Sequence, residues 1–118
     1  MTPEFAQHFA EEWVASWNAH DLDRVLGHYA DDFSITTPML PKIQPGSQGI
    51  LEGKAAIRVY WTTALQLIHD LEFKIIDVLT GIDSLSIYYL NTATGKKSVE
   101  NMFFDEQGKV TKVFVMYS

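Results

Sequence analysis

The stretch LEFKIIDVLTGIDSLSIYYLNTATGKKSVENMFFDEQGKVTKVFVMY, residues 71–117, decides the fold. Apolar and polar residues alternate through Leu71 to Thr80, Leu85 to Leu90, Lys96 to Phe104 and Lys109 to Tyr117, the period of strands with one buried face. The separators are short and made of turn formers: Gly81-Ile82-Asp83-Ser84, a link from Asn91 to Gly95, and Asp105-Glu106-Gln107-Gly108. Links this short predict an antiparallel meander, because a parallel crossover needs about a dozen residues or more.

Upstream of this stretch the period changes. Lys54 to His69 carries Ile57, Trp61, Ala64, Leu65 and Ile68 at helical spacing, a helix of about four turns. Residues Pro38 to Gly53 hold three of the four prolines together with Gly46, Gly49 and Gly53, and read as a long irregular loop of the kind that often covers a site. Before it, Phe33, Ile35 and Thr37 alternate with Ser34 and Thr36, a short strand stopped by Pro38. At the start, Thr2 caps and Pro3 opens a helix whose Phe5, Phe9, Trp13 and Trp17 recur every fourth position and face the core. Asn18 to Asp21 form a turn, and Asp21 caps a second helix bearing Leu22, Val25, Leu26 and Tyr29. The order α-α-β-α-β-β-β-β predicts an α+β fold, three N-terminal helices over a mainly antiparallel sheet.

A chain of 118 residues suits one domain spanning 1–118, and 47% hydrophobic with 20% charged residues marks it as globular. A net charge of −6 with nine scattered Lys and Arg argues against nucleic acid as a partner. The absence of cysteine excludes disulfides, thiolate catalysis and zinc-thiolate sites. Residues 1–17 lack a basic start followed by an apolar run, and no stretch reaches about 18 apolar residues, so a cytoplasmic protein without membrane contact is expected. His8, His20, His28 and His69 stand singly, without the spacing that puts two ligands on one face, so no metal site is expected. His8 and His28 read as surface residues and His20 as a turn residue. No Gly-x-Ser-x-Gly elbow and no glycine-rich phosphate loop occurs, and no cofactor is implied.

Glu100 is the residue to single out, because alternation places it on the same strand face as Met102 and Phe104. Buried there, its carboxyl would resist ionisation and become an acid or base near neutral pH. At the wet end of the strand, opposite a lysine, it would be an ordinary surface charge. Trp13, Trp17, Tyr60, Trp61, Tyr88 and Tyr89 form an aromatic set rich for a core of this size, and those with a polar edge are the better pocket candidates.

The run Trp13 to Asp23, then Tyr29-Ala30-Asp31-Asp32-Phe33 and Thr37-Pro38, resembles the opening of the nuclear transport factor 2-like superfamily, which includes ketosteroid isomerase and the SnoaL-like polyketide cyclases. Gly53 to Trp61 resembles its third helix and Phe104 to Val110 its final hairpin. The resemblance implies a cone-shaped α+β barrel around a deep pocket, usually a homodimer through the outer sheet face. The isomerase's general base falls on Thr37, its oxyanion-hole tyrosine on Trp13, and its supporting tyrosines on Tyr29 and Trp61. The second oxyanion acid, and the cyclases' acid-base carboxylate, falls on Glu100. Trp17, Tyr60 and Met102 join the expected lining. Val113, Val115 and Tyr117 of the last strand are expected to line the cavity too, with Lys112, Phe114 and Met116 outward. Because one superfold hosts many activities, three readings stay open. They are a domain binding a small apolar molecule, an isomerase, cyclase or hydratase using Glu100 with Trp13 as donor, and a scaffold using its outer face.

Overall fold

The computed structural model describes residues 1–118. The first helix, α1 (Pro3–Asn18), starts where the Thr2 hydroxyl accepts a hydrogen bond from the Phe5 N–H, and buries Ala6, Phe9, Ala10, Trp13 and Trp17. Phe5 departs from the expected stripe: it sits at the open edge, 41% exposed, with its ring edge-on to Phe104. Two residues past the helix, His20 has a left-handed φ of 54°, and its Nε2–H donates to the Leu71 carbonyl at 2.8 Å. Asn18 makes both backbone bonds of Phe73, accepting at 2.7 Å and donating at 3.0 Å. Those two bonds fix α1 against the sheet and so set where its tryptophans point.

A short helix α2 (Leu22–Leu26), capped by Asp21, leads to β1 (Tyr29–Thr36). Tyr29, expected at the end of α2, instead opens β1, where it pairs with Val110. The segment 38–53 is less irregular than its prolines suggest, because it holds the one-turn helix α3 (Leu40–Ile43) and the strand β2 (Ile50–Glu52). Helix α4 (Lys54–Leu67) buries Ile57, Tyr60, Trp61 and Ala64. Four strands complete the chain: β3 (Phe73–Thr80), β4 (Ser84–Asn91), β5 (Lys96–Phe104) and β6 (Val110–Tyr117).

The α+β fold has one six-stranded sheet in the order β2-β1-β6-β5-β4-β3, antiparallel except where β1 runs parallel to β6. The meander from β3 to β6 is as expected. The sheet does not close into a barrel, since β2 and β3 are its edges. Register interruptions between Ile75 and Asp77 and between Phe103 and Phe104 mark bulges, which bend a sheet. No helix is long and apolar enough to cross a membrane.

Candidate functional site

The pairing of β4, β5 and β6 lays the buried sheet face out as rungs. Leu85, Met102 and Val113 form one, Ile87, Glu100 and Val115 the next, Tyr89, Ser98 and Tyr117 the third, and Asn91 faces Lys96 at the hairpin end. Helices α1 and α4 cover this face, with Trp13 and Trp17 from one and Tyr60 and Trp61 from the other. Between helices and rungs lies a cavity of about 160 Å³. Thirteen of its eighteen lining residues are hydrophobic, so the cavity wall is largely apolar. Thr94 and Lys96 are exposed lining residues, so the hairpin end faces solvent and the Glu100 end is the deep one.

Glu100 is 6% exposed, and its cross-strand neighbours are Ile87 and Val115, with no lysine opposite. Its Oε2 accepts a hydrogen bond from the Tyr89 hydroxyl at 2.8 Å, its one side-chain partner. Burial pushes the carboxyl up to about 7, against the smaller opposing effect of that hydrogen bond. Three more phenols, Tyr29, Tyr60 and Tyr117, feel its charge. Burial raises all four phenols above their ordinary 10.0, Tyr60 to about 12, so each is a neutral hydroxyl at neutral pH. The Thr37 hydroxyl beside Tyr60 and Tyr117 eases the rise of both.

Of the residues expected at the site, Trp13, Trp17, Tyr60, Trp61, Glu100, Val115 and Tyr117 are brought together around the cavity. Tyr29, Thr37, Met102 and Val113 are buried but do not line it. Met102 and Val113 lie one rung past Glu100, where Leu85 and the helices close the space. Tyr29 packs instead against Phe33, its ring tilted by 35°, and edge-on against Trp61. Trp13 differs from the expected free donor, because its indole N–H donates to the Tyr29 hydroxyl at 2.8 Å. The Trp17 indole N–H is buried without a hydrogen-bond partner, its ring edge-on to Trp61. His28 is not a surface residue either: it is half-buried against Phe9, its Nε2 has no partner, and burial lowers its pKa. Lys112, Phe114 and Met116 are exposed on the opposite sheet face.

Sequence reasoning named Tyr89 only within the aromatic set and missed Asn91, Lys96 and Ser98 as lining residues. The signal was present in the hairpin: a turn that sets Asn91 opposite Lys96 forces Tyr89 opposite Ser98, diagonal to Glu100.

A SnoaL-like domain model matches residues 10–114. A SnoaL-like protein of unknown function from Burkholderia thailandensis is 42% identical, covers 100% of this chain and 98% of its own, and superposes with a TM-score of 0.93. TerC, crystallised with polyporic acid, is 14% identical, with 97% and 92% of the two chains covered and a TM-score of 0.78. An NTF2-like protein of unknown function from Cytophaga hutchinsonii is 11% identical, with 96% and 89% covered and a TM-score of 0.69. No match was found among curated proteins. The match over most of the chain and the 42% identity to a SnoaL-like protein lead to one conclusion: the chain belongs to the SnoaL-like family.

Proposed function

We propose that this domain binds a small, mostly apolar molecule whose hydrogen-bonding group is held by Glu100. The observation that carries the reading is a carboxyl 6% exposed in a largely apolar cavity with a single side-chain partner. A polar group placed there costs stability, so it is expected to serve recognition or chemistry. The test is thermal stabilisation by a panel of apolar carbonyl, hydroxyl and acid compounds, since a ligand of the native state raises its melting temperature by mass action. Hits lost in Glu100→Gln support the reading, and a flat response of wild type overturns it.

A second reading, acid-base catalysis on an apolar ketone, is favoured by the Glu100 value of about 7, where both protonation forms are populated at neutral pH. In it the Glu100 carboxylate takes the proton α to the carbonyl, a neutral phenol such as Tyr117 donates to the developing enolate oxygen, and Glu100 returns the proton. With Thr37 where the isomerase base would stand, Glu100 acts alone. Deuterium exchange of 1-tetralone in heavy water, read by NMR, should then be accelerated and lost in Glu100→Gln; no acceleration over buffer removes catalysis and leaves binding.

On the outer face the Phe103 and Phe114 rings meet edge-on at 6.1 Å, and Phe114 and Met116 are exposed, which favours self-association there. Light scattering should return a dimer, and a monomer at high concentration would refute it.

A further inference from the structure

The cavity carries polar groups at its open end as well as at Glu100, and their chemistry is opposite. We propose that the open end, formed by Asn91 and Lys96, holds an anionic group of the ligand, so that the molecule taken is an apolar acid with its carboxylate at Lys96 and a hydrogen-bonding group at Glu100. This deepens, and rests on, the reading of the cavity as a small-molecule site.

Lys96, Ser98 and Glu100 alternate along β5, so all three lie on the cavity face. Lys96 is the basic residue of the lining, in a chain whose net charge is −6. It joins none of the three ion pairs, which are Arg24 with Glu12, Lys54 with Asp31 and Arg58 with Asp23. Its ammonium donates no side-chain hydrogen bond, whereas the Lys109 ammonium is tied to the Gly27 carbonyl. Asn91 supplies an independent second donor. It is 8% exposed, and its Oδ1 accepts from the Ala93 N–H at 3.0 Å, which fixes the amide orientation. The Nδ2 group has no protein acceptor, and Asn91 lines the cavity. Two donors without protein partners, the Lys96 ammonium and the amide of Asn91, a residue 8% exposed, stand across the hairpin from each other at the cavity mouth. A carboxylate satisfies both, and charge-assisted bonds of this kind are the stronger ones.

The separation fits a small molecule. Four residues of strand put Lys96 and Glu100 about 13 Å apart along β5 at about 3.3 Å per residue, both lining the cavity. A ligand with a ring and a short chain spans that distance, its apolar body against Trp17, Phe73 and Val115.

The test uses the intact chain and a panel of arylalkanoic acids, headed by 4-(4-hydroxyphenyl)butanoate, with the methyl ester of each. Affinities are measured by titration calorimetry on wild type, Lys96→Met, Lys96→Arg and Asn91→Asp. Lys96 is exposed, so its variants should fold normally, and Asp at 91 keeps the acceptor of the Ala93 turn while replacing the donor with a charge. The expected result is an acid bound more tightly than its ester by wild type. Lys96→Met should lose that preference by roughly three- to tenfold, Lys96→Arg should keep it, and Asn91→Asp should reverse it. Esters that bind as well as the acids, with no change in Lys96→Met, overturn the anionic end and leave the cavity reading intact. Failure of every acid and every ester to bind wild type overturns both.

Discussion

Replacing Glu100 by Gln should change not only the stability of the domain but the way stability depends on pH. The carboxyl is ordinarily at 4.5 and is pushed by burial to about 7 in the folded chain. Below 4.5 both folded and unfolded chains hold the proton, and the group contributes no pH dependence. Between 4.5 and about 7 the folded chain keeps a proton that the unfolded chain has released, so rising pH favours unfolding; above about 7 both are ionised and the full penalty stands. At about 1.4 kcal/mol for each pH unit across that window, ionised Glu100 costs roughly 3 kcal/mol relative to protonated Glu100. Gln cannot ionise, and its carbonyl can still accept from the Tyr89 hydroxyl. Urea unfolding of both proteins from about pH 5 to about pH 8 at fixed ionic strength should therefore show the stability of Glu100→Gln rising relative to wild type by roughly 3 kcal/mol. The comparison isolates Glu100, because other titrating groups, including His28, are common to both proteins. A difference that stays constant with pH would refute the reasoning even if Gln packs poorly, since poor packing shifts the curve without changing its slope.

Tyr89→Phe removes the hydrogen bond that favours the ionised form, so the Glu100 midpoint should move further up in a carbon-13 NMR titration; an unmoved midpoint would break the link between them. Trp13→Phe leaves the buried Tyr29 hydroxyl without its donor and should cost about 1–3 kcal/mol in urea unfolding, while a loss within error would return the indole N–H to the role of a spare donor. His28 is held neutral by burial, so stability present above its ordinary value of 6.5 is lost as pH falls through its lowered folded value. Wild type should therefore lose stability on acidification more steeply than His28→Leu, and equal acid limbs would place the imidazole in water.

The fold was legible where periodicity ran long enough to be counted. Lys96 to Phe104 needed no correction, and the other late strands shifted by one or two residues, because nine or so alternating positions leave one face choice. Helix α3 and strand β2 were hidden because four and three residues show no period, and their prolines and glycines speak for turns. Tyr29 fits helical spacing after Leu22, Val25 and Leu26, yet Gly27 ends the helix and the pairing with Val110 claims the tyrosine for the sheet. The face of Glu100 could be read from alternation, but not its depth, which depends on which rung the helices cover. The Trp13 to Tyr29 bond joins two elements sixteen positions apart, and no local pattern announces it. His28 failed for the same reason, since its burial is decided by Phe9 of another helix.

Around the cavity, Glu100 is the group whose charge changes near neutral pH, because burial keeps the four phenols protonated. With Glu100 protonated the cavity presents a neutral deep end and a cation at its mouth, the arrangement suited to an acid. Once Glu100 ionises, a second negative charge lies within reach of the ligand carboxylate. At about 13 Å and an effective dielectric constant of about 20 that repulsion is roughly 1 kcal/mol, before any loss of the donor that protonated Glu100 offers. Binding of an arylalkanoic acid should therefore weaken by roughly fivefold or more as pH rises from about 6 to about 8. The methyl ester lacks the repelled charge and should weaken less, and Glu100→Gln should abolish the pH dependence for both. An acid whose affinity is flat across that range would mean that its carboxylate and Glu100 do not share one cavity.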